Sequence, residues 1–344
     1  MNNRDYAFDN IKLIAIILVV FGHMLEISIL HTSNNTIYRI IYSFHMPLLI
    51  FITGFFAKFS KKRIVNFIIL YLIFQVIYIF YINIIYSGKT NYQLTTPYWI
   101  LWYLLCYIFY LFLIPLLDIF ELNKKSIIKI VSAVVISLIM YFAFPFDSTQ
   151  GYYLSVSRFV SFLPYFICGF YAKKILSLKE IKIEKKYNII IKLSFLCLTI
   201  CSIIIIILKK NITAQMLYGS YPYKGLYNPF IKLIIIFCAI SWIGFFIFTI
   251  RFNKKIPFLT RIGGNTISIF LLHGFIVKGL DSTDCFWNNR INIFVILLIS
   301  IGIVVLLGNI LMEYFSKYIL YGKIFTKKKN KEYSNEKSNN CTNL

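Results

Sequence analysis

Ten apolar stretches, each long enough to cross a hydrocarbon core, dominate this sequence: 11-30, 40-58, 64-86, 98-118, 127-145, 156-176, 188-208, 229-250, 264-280 and 291-315. In lipid, every backbone N–H and C=O must find its partner inside the protein, which leaves helices or closed barrels. Runs of this length and continuity match the helical case. The expected fold is therefore all-α, a polytopic transmembrane helical bundle of about ten spans. The ninth run is short and is expected to be tilted or re-entrant. Composition agrees: 59% of the 344 residues are hydrophobic and only 14% charged, with a mean hydropathy of +0.74.

The net charge of +23 excludes less than it first suggests. A nucleic-acid binder would gather its basic residues on one polar surface; here they fall in short blocks between apolar runs. The blocks are Lys58-Lys61-Lys62-Arg63, Lys124-Lys125, Lys173-Lys174 through Lys185-Lys186, Arg251-Lys254-Lys255-Arg261 and Lys327-Lys328-Lys329. They occupy alternate loops, and roughly three quarters of the Lys and Arg fall on that side. Ten spans and this bias put both termini in the cytoplasm; the expected location is a bacterial plasma membrane. Loop 209-227, with Lys209, Lys210 and Lys224, is the exception and is still assigned to the outside.

The first run lacks a small-residue cleavage site and is as long as a span, so no cleaved signal is expected. Cysteines 106, 168, 197, 201, 238, 285 and 341 form no CxxC pair and point to neither a disulfide framework nor a metal. No bound cofactor is expected. The membrane part is taken as 1-320, followed by a basic tail at 321-344 whose end is polar enough to be disordered. No soluble catalytic domain fits, so any chemistry belongs to the membrane part.

Within the first run stands His23, with Lys12 eleven residues earlier. At 100° per residue, eleven steps make three turns plus about 20°, so both lie on one helix face about 16 Å apart. An ionisable group at this depth is costly and marks a functional site by default. Counting from the inner boundary puts His23 near 18 Å up a core roughly 30 Å thick. His45 enters the second run from outside, and His273 climbs the ninth from inside to a comparable depth. Each of these two equally suits a structural histidine bonded to a neighbouring carbonyl. His31 belongs to the first outer loop and reads as solvated.

Glu26, three residues beyond His23, is placed to orient the ring or raise its basicity. Asp9 and Lys12 are spaced to pair at the inner boundary, where a snorkelling lysine is the plainer alternative. Arg158 opens the sixth run just below the outer surface, suited to an oxyanion, a carbonyl or a phosphate, or merely to lipid headgroups. Tyr98-Trp99 and Trp102-Tyr103 suit an aromatic belt or a sugar ring equally well. Pro47 and Gly54, Pro164 and Gly169, and Gly263-Gly264 suit broken or closely packed helices.

These residues resemble the acyltransferase-3 family of integral-membrane acyltransferases, in the branch similar to fucose 4-O-acetylases. FDNIKLIAIILVVFGH (8-23) is similar to the family's opening motif, with Lys12 where many members carry arginine. SFHMPLLIFITGFF (43-56) resembles the second signature. LWYL (101-104), SRFVSFLPYFICGFY (157-171) and IGGNTISIFLLH (262-273) resemble three more, in the family's order.

The resemblance implies ten-odd helices, a cytoplasmic acyl-CoA donor, an essential first-run histidine and an outer carbohydrate acceptor. It favours acetyl as the group transferred. Some members carry an additional esterase-like domain; none is expected here. Joined to the residue reading, it makes His23, Glu26 and Arg158 the candidate catalytic residues. Lys12, Asp9 and Arg261 become candidates for the acetyl-CoA end, and His45, His273, Trp102 and Tyr103 for the acceptor, a surface polysaccharide or lipid-linked oligosaccharide. His23 acts as general base, or as an acyl carrier in the covalent variant. Two rivals stand beside this: a transporter or flippase of a lipid-linked sugar, and a non-catalytic membrane sensor or assembly subunit.

Overall fold

The computed structural model describes residues 6–28, 35–88, 95–118, 126–144, 152–178, 185–220, 229–250, 254–283 and 292–309. His31, Lys124-Lys125, Arg251 and the tail 321-344 lie outside them. Among the described residues all regular structure is helical. The helices are α1 (Tyr6–Glu26), α2 (Thr36–Tyr42), α3 (His45–Phe56), α4 (Lys61–Ile85), α5 (Trp102–Asp118), α6 (Ser126–Ala143) and α7 (Val156–Leu178). They continue with α8 (Lys185–Leu208), α9 (Ala214–Leu217), α10 (Pro229–Gly244), α11 (Pro257–Gly264), α12 (Thr266–Asp281) and α13 (Ile293–Leu307).

Each of the ten apolar runs is matched by helix. Seven helical stretches are long and apolar enough to cross a membrane, α2 with α3 forming one of them. Two more are shorter apolar helices, Ile127–Ala143 and Ile293–Leu307. The ninth run is the bent one: α11 and α12 meet at 76° across Asn265, just after Gly263-Gly264. Whether this pair is a broken span or a re-entrant loop, the break lies at the glycine pair that reads as a helix breaker.

The outside of the bundle is apolar. Phe80, Ile84, Phe230 and Leu298 are each about 70% exposed, and α8 buries only 17% of its apolar window inside the protein. A water-soluble protein does not expose such a surface; lipid is the solvent that fits it. The chain is a multi-pass membrane protein. α1 is the reverse case, with 72% of its window buried. It packs against α11, α12, α13 and α3 as a central post.

Without water between helices, association rests on close packing and on hydrogen bonds from one helix to another. α3 and α7 show the first device. A Cβ on Gly54 would strike the carbonyl of Phe166, and one on Gly169 that of Phe51. The two glycines thus let the backbones touch where larger residues would hold them apart. α4 and α12 show the second: Tyr78 Oη donates to the Leu271 carbonyl at 2.7 Å and Tyr81 Oη to that of Phe275 at 2.8 Å. Such bonds are worth about 0.6 kcal/mol each in a membrane. These two clamp the stretch of α12 that carries His273.

The ends of the bundle differ. Near the start of α1, Asn10 Nδ2 donates to the Lys254 carbonyl at 3.1 Å and Lys255 Nζ lies 5.9 Å from the Tyr6 ring centre. Near its finish, the segment after α8 folds back. Arg39, almost fully buried, holds it by donating from Nη1 to the carbonyls of Lys209 (2.9 Å) and Ile212 (3.2 Å). The exceptional Lys209-Lys210 loop therefore lies at the His23 end, away from the other described basic runs.

Candidate active site

Two cavities open along one face of α1. Ile16 and Val19 carry that face from Lys12 towards His23. Lys12, Ile16 and Val19 line one cavity, of about 730 Å³. His23, Glu26 and Ile27 line the other, of about 640 Å³. The face inferred from the eleven-residue spacing is thus the shared wall of both.

In the second cavity His23 Nδ1 lies 2.9 Å from Glu26 Oε2, one helical turn away. A carboxylate only accepts, so the ring proton sits on Nδ1 and Nε2 is left as the basic nitrogen. The other oxygen of Glu26 accepts from Tyr38 Oη at 2.6 Å and from Tyr42 Oη at 2.5 Å. Tyr38 Oη also meets Tyr218 Oη at 2.6 Å. Burial pushes the Tyr218 hydroxyl above its ordinary phenol range, which keeps it protonated. Donors converge on the anionic form of Glu26, and Glu26 in turn fixes the ring of His23. Tyr38 and Tyr42 are four residues apart on α2, a spacing that puts them on one face. Gly22 leaves room for this arrangement, because a Cβ there would come within 3.0 Å of the Tyr42 ring.

The other two histidines stand beside His23. The His273 ring stacks on it with centres 5.5 Å apart, and His45 lines the same cavity. Both donate from Nδ1 to the carbonyl four residues earlier, Ile41 for His45 (2.8 Å) and Ile269 for His273 (2.9 Å). This is the carbonyl bond of a structural histidine. It leaves Nε2 of each as an acceptor, and that of His273 has no hydrogen-bond partner among the described residues. His273 is fully buried behind His23 and does not line the cavity.

Arg158 reaches in from α7. Its guanidinium lies 4.8 Å from the Trp102 ring centre and 5.6 Å from that of Tyr152, and Nε donates weakly to the Tyr218 carbonyl at 3.4 Å. It makes no ion pair among the described residues, so its fork is held by rings while its charge stays available to an oxyanion. Trp102 also stacks on Phe162 at 5.4 Å; its ring supports the arginine. Trp99, by contrast, packs edge-on to His23 at 4.5 Å. Lys278 lies 4.9 Å from the Trp99 ring centre and pairs with Asp281 at 2.9 Å. Sequence reasoning missed this last pair, although its i,i+3 spacing at the end of the ninth run was a usable signal.

The first cavity is basic. Lys12, Lys58, Lys62, Arg63 and Lys173 line it, and no acidic residue does so among the described residues. Asp9 is buried beside it and holds Lys12 Nζ at 2.7 Å. Two expectations differ from the arrangement found. Tyr103, grouped with Trp102 for the acceptor, lines this basic cavity instead, with its hydroxyl 2.5 Å from Thr53 Oγ1. Adjacent residues on a helix point about 100° apart, so the pair Trp102-Tyr103 is divided between the cavities. Arg261 is exposed on α11 and does not line the basic cavity, where Lys58, Lys62, Arg63 and Lys173 stand. No group of three or more His, Cys, Asp or Glu side chains is arranged to hold a metal ion among the described residues.

A lipid-embedded bundle thus carries two cavities on one helix face, one lined by cations and the other by a histidine held by a carboxylate, an arrangement that suits a membrane group-transfer enzyme. The particular group follows from kinship: residues 5–312 match the acyltransferase domain of the acyltransferase-3 family, to which the chain belongs. It is a membrane acyltransferase. Shorter matches accompany this. Nodulation protein NolL of Sinorhizobium fredii is 46% identical over 61 residues, 17% of each chain. Nodulation protein NolL of Mesorhizobium japonicum is 39% identical over 61 residues, 17% of this chain and 16% of that protein. The match thus spans about a sixth of the length of these relatives. No solved structure matches.

Proposed function

We propose that this acyltransferase moves an acetyl group from cytoplasmic acetyl-CoA to a sugar hydroxyl of a cell-surface polysaccharide or its lipid-linked precursor, across the bacterial plasma membrane. The observation that carries this reading is the pair of cavities on one face of α1, one lined by cations and one by an oriented histidine. The alternation of basic loops supports a cytoplasmic side for the Lys12 end and for both termini. There, Lys12, Lys58, Lys62, Arg63 and Lys173 suit the phosphates of CoA, whose long pantetheine arm spans the distance to His23.

The proposed chemistry uses this geometry. An acceptor hydroxyl in the second cavity gives its proton to His23 Nε2 while its oxygen attacks the thioester carbonyl. Arg158 faces the negative charge that develops on the carbonyl oxygen. The C–S bond then breaks, an ester C–O bond remains, and the proton on Nε2 passes to the departing thiolate. Glu26 holds the imidazole in the productive tautomer throughout. Because Glu26 is itself held by Tyr38 and Tyr42, the base is oriented before either substrate binds.

The test uses inside-out membrane vesicles with acetyl-labelled CoA. Wild-type vesicles are expected to label the envelope glycan, and His23→Ala vesicles with equal protein content are not. Glycan movement without label would instead support a sugar carrier. Near-normal labelling by His23→Ala would remove the base from its assigned role.

A further inference from the structure

We propose that the Met46 side chain is the movable partition between the two cavities, and that it limits the length of the acyl group transferred. The proposal rests on the donor reading given above. Among the described residues, Met46 alone lines both cavities. It follows His45 at the start of α3, so the partition and the histidine beside the reaction centre share one helical turn. On the basic side Met46 is joined by Val19, Leu49 and Phe270; on the other it shares a cavity with His23 and Trp102.

Among the described residues, Met46 is therefore the side chain that a thioester passing from the basic cavity to the other would meet on both sides. Methionine is unbranched with three rotatable bonds, so it can fill a gap at rest and turn aside when a substrate presses through. At rest it keeps water of the basic cavity away from the thioester's destination, which protects the activated acyl group from hydrolysis. Turned aside, it occupies the space into which a longer acyl chain would extend. An acetyl group needs only its methyl accommodated there; a butyryl group adds two methylenes, close to the bulk that Met46→Ala removes. One methylene in a tight pocket is worth roughly tenfold or more in discrimination.

The test is a donor panel of labelled acetyl-CoA and butyryl-CoA, given to inside-out vesicles and read as labelled glycan and as free acid. Wild type is expected to favour acetyl. Met46→Ala should raise the butyryl-to-acetyl transfer ratio about tenfold and raise free-acid release. Met46→Leu, close in volume, should keep the wild-type ratio. Met46→Phe, which narrows the waist without lengthening the donor, should cut glycan labelling while acetyl-CoA is still retained by the vesicles. If the Ala protein fails to accumulate, the Phe protein decides. A ratio and hydrolysis rate unchanged in Met46→Ala, or full activity in Met46→Phe, would overturn the partition while leaving the donor reading intact. Wild-type vesicles that transfer no acyl group at all would instead overturn the donor reading.

Discussion

The two cavities hold their charges in opposite ways. Among the described residues, five cations line the basic cavity with no carboxylate in its wall, and of these Lys12 alone is tied to an acid, the neighbouring Asp9. In the other, His23 is bonded to Glu26, Lys278 to Asp281, and Arg158 is held by rings. Uncompensated positive charge attracts a polyanion over several ångströms and tolerates imprecise placement. A hydrogen-bonded network does little for attraction but fixes orientation, which proton transfer requires. In the proposed function, one end of α1 captures the donor and the other carries the reaction.

The comparison breaks most sharply at His23. His23→Ala should lower acetyl transfer about 10³-fold while leaving donor retention by vesicles unchanged; loss of both together would merge the two roles. Glu26→Gln should be next, at about 10²-fold in kcat. The amide keeps the shape but places an N–H donor either where His23 or where Tyr38 and Tyr42 need an acceptor, and the KM for acetyl-CoA should stay constant. The triple change Lys58→Gln, Lys62→Gln, Arg63→Gln tests the other end. It should raise the KM for acetyl-CoA about tenfold with kcat preserved, and the wild-type KM should itself rise with salt. Tyr42→Phe is the mildest, a few-fold loss in kcat, as one hydrogen bond to a charged group is removed. A matching rise in donor KM would show that the tyrosine supports the bundle and not Glu26.

Much of this arrangement was legible in the residues. The apolar runs read as helices because lipid leaves the backbone few alternatives, and the bend of the ninth is marked by Gly263-Gly264. His23 and Glu26 read as partners because one helical turn separates them. Depth counting brought His45 and His273 level with His23, since rise per residue is nearly constant in a helix. What needed three dimensions was the direction each side chain takes about its axis. Nothing local says that Tyr103 turns to one cavity and Trp102 to the other, or that Arg261 does not line the basic cavity. The tyrosines on Glu26 come from α2, and Tyr218, from beyond α8, joins them through Tyr38; their convergence is tertiary.

The fold's central device can be probed without touching the site. Gly169→Val would drive a branched side chain into the Phe51 carbonyl and separate α3 from α7. Because α3 carries His45 and Met46 and α7 carries Arg158, both cavities should be lost together, seen as a protein that fails to survive detergent extraction as a single species.

The measurement that bears most directly on capture at one end and reaction at the other is sidedness. Labelled acetyl-CoA, which does not cross a sealed bilayer, is offered to inside-out and to right-side-out vesicles bearing the same amount of protein. Transfer is expected only in the inside-out preparation, with the label on glycan protected inside the vesicle until detergent is added. Equal labelling from both orientations, or label confined to the face that received the CoA, would contradict transfer along α1 from Lys12 to His23.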